Sequence, residues 1–125
     1  MDQPQALDAL AALANETRLQ IVRLLVGRGH DGGCLRHSEA EDAGLAAGAI
    51  AQEVSISASR LSFHLNALEQ AGLVAAERRG RQVFYRLEHR AMGGLIHYLL
   101  NDCCQGNAEV SACCQQGGAP QMRRA

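Results

Sequence analysis

Four of the five cysteines in this 125-residue chain lie close together near its C-terminus. They form two adjacent pairs, Cys103–Cys104 and Cys113–Cys114, within the stretch NDCCQGNAEVSACC. Thiols this close can form disulfides, attack a substrate, oxidise in response to a redox signal, or bind a soft ion. Three sulfurs suit the trigonal pyramid of trivalent arsenic or antimony, whereas four can hold Cd, Pb or Zn tetrahedrally. Which chemistry applies depends on the elements that position the pairs.

The start of the chain and its cysteine count disfavour structural disulfides. The first ten residues, MDQPQALDAL, lack the features of a secretory signal, and no stretch approaches the roughly 18 apolar residues that span a membrane. We therefore expect a cytoplasmic protein, in which thiols stay reduced. The odd count of five cysteines also argues against full pairing. No anion-cradling loop precedes any cysteine, which disfavours a thiol enzyme. We expect neither enzymatic activity nor an organic cofactor.

The charge of the chain is segregated although its net value is only −1. Residues 31–54 carry five acidic groups and one arginine, whereas residues 57–90 carry six arginines and three glutamates. Phosphate binding needs a local basic patch, because counterions are released where the cations lie. The basic segment therefore indicates nucleic acid as a partner.

Apolar residues at helical spacing predict four helices ahead of residue 72. The first follows Pro4, and the second begins after an N-cap at Asn15 and ends at Gly27. A glycine-rich acidic loop, residues 27–44, separates them from a third helix in the stretch LAAGAIAQEV. The fourth helix begins at Ser57, and Gly72 closes it as a C′ residue. The apolar residues expected on one face of each of the first three helices are Leu7, Leu10 and Leu13; Leu19, Val22, Leu25 and Val26; and Leu45, Ile50 and Val54.

After residue 72 the apolar period changes to that of β-strands. Alternation around Val83, Tyr85 and Leu87, with a turn at Gly80, predicts a two-stranded hairpin. Helical spacing returns from about His89. Two short helices followed at once by an arginine-rich hairpin are typical of a winged helix-turn-helix. We therefore predict a mainly α (α+β) fold of about five helices and a two-stranded wing, with a DNA-binding and dimerisation domain over residues 1–104 and a flexible cysteine-containing tail over residues 105–125.

The fourth helix separates into an apolar and a polar face. Leu61, Leu65 and Leu68 point to the core, with His64 between them as a structural residue. The opposite face offers hydroxyls, an amide and an arginine for base edges and phosphates, and Phe63 for a thymine methyl. Arginines also flank the turn of the hairpin, where only phosphate or water would meet them. The predicted DNA contacts are Ser57, Ser59, Arg60, Ser62, Phe63, Asn66, Arg78, Arg79, Arg81 and Gln82.

Three stretches, LANETRLQIVRLL, SISASRLSFHLNALEQAGLV and RRGRQVFYRL, resemble signature stretches of the ArsR/SmtB family of metal-responsive winged-helix repressors. The resemblance covers about Gln5 to Cys104. It implies a homodimer formed by the first and last helices, bound to double-stranded operator DNA and released by an inducer. The residues also favour a dimer, because the last helix is strongly apolar and Gly93 and Gly94 permit close approach of another backbone. The expected interface residues are Leu7, Leu10, Met92, Leu95, Ile96, Leu99 and Leu100.

The resemblance also suggests where an inducer binds. Many family members carry cysteines at the start of the third helix, but the matching stretch GLAAGAIAQEV has none. Others carry zinc ligands along the last helix. Here Glu88, His89, His97 and Asp102 do not match that spacing, although His89 and His97 could share a face. Arsenic-responsive members are similar in placing a Cys-Cys pair and a later cysteine at this end of the chain.

We therefore expect a repressor that leaves its operator when trivalent arsenic or antimony, supplied as arsenite or antimonite, binds C-terminal thiolates. Cys103 and Cys104 are the expected first two ligands, and either Cys113 or Cys114 is the third. A two-thiolate site for methylated trivalent arsenic, a four-thiolate site for Cd, Pb or Zn, and thiol oxidation remain alternatives. Cys34, in the acidic loop, is expected to be incidental or to serve across the dimer.

Overall fold

A computed structural model describes residues 1–28 and 44–117 of the chain. Cys34 and most of the predicted acidic loop lie between these two ranges, outside the described residues. The described part contains six helices, one more than predicted, and a three-stranded antiparallel sheet of order β1-β3-β2. None of its helices is long and apolar enough to cross a membrane. The elements are α1 (Gln3–Leu13), α2 (Glu16–Arg28), β1 (Leu45–Ala46), α3 (Ala47–Val54), α4 (Ala58–Gln70), β2 (Val74–Arg79), β3 (Gln82–Leu87), α5 (His89–His97), a π-helical segment (Tyr98–Cys103) and α6 (Ala108–Gln115).

Helix α1 begins with a capping box that the sequence analysis did not include. The Asp2 carboxylate accepts a hydrogen bond from the backbone N–H of Gln5 at 2.9 Å, and the Gln5 side chain accepts one from the Asp2 N–H at 2.8 Å. The helix buries a stripe of alanines and leaves two of its leucines, Leu7 and Leu10, exposed. The buried stripe consists of Ala6, Ala9 and Ala12.

Helix α2 begins as predicted but buries a different face. The Asn15 side chain accepts a hydrogen bond from the Arg18 N–H at 3.0 Å, which confirms the N-cap. Val22 and Leu25 are buried, but Leu19 and Val26 are exposed, so the prediction of one shared apolar face is wrong for these two. At 100° per residue they project roughly 100° away from the centre of the buried side.

The short strand β1 replaces the first turn of the predicted third helix. Leu45 pairs with Tyr85 and Ala46 pairs with Phe84, both on β3, and α3 begins only at Ala47. Gly44, which precedes β1, has a φ of +84°, and a Cβ at this position would lie 2.5 Å from the backbone oxygen of Tyr85. Only glycine fits this approach of two backbones without displacing one of them.

Helix α4 and the wing follow the sequence predictions closely. The Ser57 hydroxyl accepts from the Arg60 N–H at 3.2 Å, and the helix closes where Gly72 takes a φ of +80°. The N–H of Leu73 then bonds the Leu68 carbonyl at 3.0 Å, as in a Schellman motif. Strands β2 and β3 pair from Val74–Leu87 to Arg79–Gln82 across the turn at residues 80–81.

The core lies where α2, α3 and α4 pack against one another and against the sheet. Its largest fully buried side chains are Ile21, Ile50, Leu65, Leu68 and Leu73. Leu95 of α5 is also buried in this cluster, which anchors the last long helix to the domain. Because α4 is fixed on its apolar side by this core, its opposite face points outward in a defined direction.

The C-terminal part departs from the sequence predictions. Helix α5 continues into the π-helical segment, and the N–H of Cys104 bonds the Leu99 carbonyl at 3.0 Å. Gln105 and Gly106 then take φ values of +56° and +70°, which turns the chain. Residues expected to lie in a flexible tail form α6 instead, capped by the side chain of Asn107.

Candidate DNA-binding surface and thiol site

The outward face of α4 carries the residues predicted to contact DNA. Leu61, Leu65 and Leu68 are buried and His64 is only 7 % exposed, as the helical phase predicted. The opposite side chains are exposed, and Phe63 is the most prominent at 66 %. We call this surface the polar face of α4, defined by Ser59, Arg60, Ser62, Phe63 and Asn66.

His64 is held by an arginine that the sequence analysis did not single out. The Nε of Arg18 donates to Nδ1 of His64 at 3.1 Å, and its Nη1 donates to the Ala12 carbonyl at 3.4 Å. The guanidinium carbon lies 5.5 Å from the ring centroid of Phe63, and the Phe63 and His64 rings meet edge to face at 5.4 Å. Burial, and then the positive charges of Arg18 and Arg60, lower the pKa of His64 below its ordinary 6.5.

The one sequence signal for Arg18 is its position in the first turn of α2. A cation there opposes the helix dipole, so a compensating interaction is expected. The residues that compensate it lie 6 and 46 positions away in the chain. Periodicity within one helix does not reveal such contacts, because they depend on how helices pack.

The wing presents its predicted arginines in two different ways. Arg79 is held along the hairpin, since its Nη2 lies 3.3 Å from Glu77 and its guanidinium carbon 4.3 Å from the Phe84 ring centroid. Arg78 and Arg81 are exposed and form no ion pair with another residue of the described ranges. Gln82 is exposed beside the turn. The tip of the wing therefore offers Arg78 and Arg81 as its most accessible cations.

The first cysteine pair lies where the last long helix ends. Cys103 is exposed and Cys104 is half-buried, and both are free thiols. Partial burial, the adjacent Cys103 and a hydrogen bond to the Cys103 side chain raise the pKa of the Cys104 thiol. Because Cys103 and Cys104 are adjacent where the helical run ends, both thiols can turn toward the same ligand.

The second pair lies on α6 and is not gathered onto the first. Cys113 and Cys114 are exposed free thiols. Within residues 1–28 and 44–117, no three or more His, Cys, Asp or Glu side chains are arranged to hold a metal ion. Two adjacent thiols suit a soft ion, and no third ligand is gathered beside them within the described residues.

Similar proteins show which family the chain belongs to. A family profile described as a helix-turn-helix domain matches residues 13–76, about half of the chain. The chain is 32 % identical over 103 residues to the transcriptional activator HlyU of Vibrio cholerae, with 82 % of each covered. The chain belongs to the helix-turn-helix transcriptional regulators of the ArsR/HlyU kind.

Solved structures agree with this assignment of the regulator. An ArsR-like transcriptional regulator from Rhodococcus sp. RHA1 superposes with a TM-score of 0.64 at 25 % identity, over 90 % of this chain and 92 % of that one. A winged helix-turn-helix domain from Mycobacterium bovis, described as homodimeric and possibly of the ArsR family, gives 0.57 at 26 % identity, over 83 % and 85 %. The predicted winged-helix fold and ArsR-type family are confirmed, whereas the arsenic-responsive type stays a prediction.

The residues expected at the dimer interface differ in how exposed they are. Leu7, Leu10 and Ile96 are 55 %, 39 % and 48 % exposed, although all three are large and apolar. Leu95 is buried, so its side chain packs within its own chain rather than on a surface. The remaining three are half-buried: Met92, Leu99 and Leu100.

A cleft beside α5 contains the histidines considered as zinc ligands. His89, His97 and Asp102 line a space of about 400 Å³ together with Met1 and Tyr98. His97 Nδ1 lies 3.1 Å from the Asn101 side-chain amide, and the amide also donates to the His97 carbonyl. These side chains do not form a metal-holding group within the described residues.

Proposed function

We propose that the protein is a homodimeric repressor that binds double-stranded operator DNA and releases it when its C-terminal thiols bind trivalent arsenic or antimony. The observation that carries this proposal is the position of Cys103 and Cys104. They end the helical run whose earlier residue Ile96 is exposed and apolar. A ligand bound at this pair would therefore lie at the end of the same helical run that carries the surface expected to join the two subunits.

The DNA-binding half of the proposal rests on α4 and the wing. The polar face of α4 offers hydroxyl, amide, guanidinium and aromatic groups, which are the groups that contact base edges in a major groove. Arg78 and Arg81 at the wing tip are suited to phosphate. In a dimer the two α4 helices would enter successive major grooves about 34 Å apart.

The sensing half rests on the chemistry of adjacent thiols. Each thiol that condenses with arsenous acid forms one As–S bond and releases one water molecule, so no oxidant or reductant is needed. Cys103 and Cys104 supply two such bonds, and Cys113 or Cys114 supplies the third after α6 turns about residues 105–106. These thiols stay reduced in the cytoplasm, where we propose that the regulator acts.

Coupling between the two halves follows from thermodynamic linkage. If arsenite binds more tightly to a dimer whose α4 helices are wrongly spaced for DNA, DNA and arsenite weaken each other equally. Such couplings are typically about 1–3 kcal/mol, which corresponds to roughly 5- to 150-fold in operator affinity.

The test is fluorescence anisotropy of a labelled operator duplex, isolated by in vitro selection with the full chain. Arsenite and antimonite should release the wild type, and the Cys103→Ser and Cys104→Ser variants should bind DNA but resist release. Cys113→Ser and Cys114→Ser, made singly, identify the third ligand. If a Cys103→Ser/Cys104→Ser double variant is released as readily as the wild type, the site assignment is wrong.

Parallel titrations separate the alternatives that use the same cysteines. Release by Cd, Pb or Zn but not by arsenite would favour a four-thiolate site. Release by methylated trivalent arsenic alone would favour a two-thiolate site. Release by mild oxidant without arsenite would favour redox sensing, for which the exposure of three of the four described thiols is suitable. A promoter–reporter assay decides between repression and activation, since HlyU is described as an activator.

A further inference from the structure

Arg18 joins three helices at one edge of the polar face of α4. It lies in the first turn of α2, donates to the last turn of α1 at the Ala12 carbonyl, and donates to His64 on α4. Its guanidinium also lies over the ring of Phe63, the adjacent residue. One side chain therefore contacts both the buried and the exposed aromatic ring of the helix expected to bind DNA.

The two contacts fix the rings in different ways. Because Nδ1 of His64 accepts the Arg18 hydrogen bond, the neutral imidazole carries its proton on Nε2 and its ring orientation is set. The Phe63 ring has two neighbours, the Arg18 guanidinium at 5.5 Å from its centroid and the His64 ring, which meets it edge to face at 5.4 Å. An aromatic side chain that is 66 % exposed would otherwise sample several rotamers.

We propose that Arg18 is a positioning residue for DNA recognition, which fixes the direction in which Phe63 projects from the polar face of α4. This rests on the proposed role of that face in binding operator DNA. Holding Phe63 in its bound rotamer removes an ordering cost that binding would otherwise include. The benefit appears only with DNA sequences that Phe63 contacts, because non-specific binding depends on phosphates.

The main competing role for Arg18 is a direct phosphate contact. Its guanidinium is partly buried, and two of its nitrogens already donate within the chain. The two roles differ in a measurable way. Loss of one phosphate contact lowers the slope of log K against log salt by about 0.9, whereas loss of a positioning contact leaves the slope unchanged.

The experiment measures the affinity of the full chain for a duplex obtained by in vitro selection and for a random-sequence duplex of equal length. Arg18→Lys keeps the charge but loses the guanidinium plane and the Nε donor. It should weaken the selected duplex by about three- to tenfold and leave the random duplex and the salt slope unchanged. Arg23→Lys, on the exposed side of the same helix, is the matched control and should change none of the three.

Deoxyuridine substitution then tests whether the effect passes through Phe63. Thymidines of the selected duplex are replaced one at a time, which removes single methyl groups. The substitution that weakens binding by the wild type most should weaken binding by Arg18→Lys and by Phe63→Leu several-fold less. The double variant should bind about as well as Phe63→Leu alone, because Arg18 would have nothing left to position.

His64 variants separate positioning from general damage to the fold. His64→Asn keeps an acceptor for Arg18 but loses the ring that meets Phe63, so it should bind the selected duplex better than Arg18→Lys does. His64→Leu fills the core without an acceptor and should behave like Arg18→Lys. Undiminished binding to the random duplex shows that each variant is folded.

Two results would overturn the proposal. One is an equal loss on both duplexes, with a salt slope lower by about one in Arg18→Met, which removes the charge that Arg18→Lys keeps; this result would assign Arg18 to phosphate. The other is unchanged binding by Arg18→Lys. A wild-type chain that does not distinguish the selected from the random duplex would instead refute the proposed function itself.

Discussion

At the scale of single residues, His64 makes the packing of α4 sensitive to pH. The sequence placed it in the core by helical phase alone, and the structure confirms that placement. The sequence did not reveal its partner, because Arg18 lies on another helix and 46 residues away. Protonation of His64 would put a proton on Nδ1, opposite the Arg18 donor, and would add a third positive charge beside Arg18 and Arg60.

We therefore predict that His64 makes the folded chain less stable in acid. Since its folded pKa is lowered, the unfolded chain takes up the proton first as pH falls below about 6.5. The contribution of His64 to the free energy of unfolding is complete above pH 6.5. It is lost as pH falls from there to the pKa of the folded state, by at most about 1.4 kcal/mol per pH unit. Urea denaturation between pH 5 and 8 measures it.

His64→Asn provides the control for that measurement, because the other histidines titrate in both proteins. The difference in unfolding free energy between wild type and variant should shrink as pH falls through the window. A difference that is constant with pH would contradict the assignment.

At the scale of elements, the spacing of apolar residues predicted the helices and strands that are long enough to show a regular pattern. It located α4, its caps and the β2–β3 hairpin, because a helix of 13 residues and two strands of six show a clear pattern. It missed β1, which has two residues and exists only because β3 lies beside it. It predicted one helix from about His89 onward but not the π-helical geometry of Tyr98–Cys103, and it did not predict α6. These features depend on tertiary contacts or on local caps.

Strand β1 gives the prediction that belongs to this scale. Gly44→Ala should destabilise the chain by about 1–3 kcal/mol, because alanine at a φ of +84° is strained and its Cβ would meet the Tyr85 backbone. Gly48→Ala, four residues later in α3, meets no atom within 4 Å and should stabilise by about 0.5–1 kcal/mol. Urea denaturation of both variants measures the contrast. Equal effects would mean that β1 does not pair closely with β3.

At the scale of the whole molecule, the unexplained feature is an apolar surface outside the core. Helix α1 buries alanines and exposes Leu7 and Leu10, which is the reverse of an ordinary amphipathic helix in a monomer. Met1 lies beside Gly94, so the start of α1 and helix α5 are neighbours. Ile96, on α5, is a further large apolar residue that is exposed. We predict that a second copy of the chain covers these residues, which would place two α4 helices on one DNA duplex.

We predict that Ile96→Asp converts the protein to a monomer, because a carboxylate would be buried without a partner in the interface. Sedimentation equilibrium should show half the wild-type mass, and operator affinity should fall by well over tenfold, since one α4 then binds alone. Val110→Asp places the same charge on an exposed apolar residue of α6 and should remain dimeric and bind DNA normally. A dimeric Ile96→Asp protein would exclude this face as the interface. The proposed coupling between Cys103–Cys104 and DNA would then require another route than the helix they end.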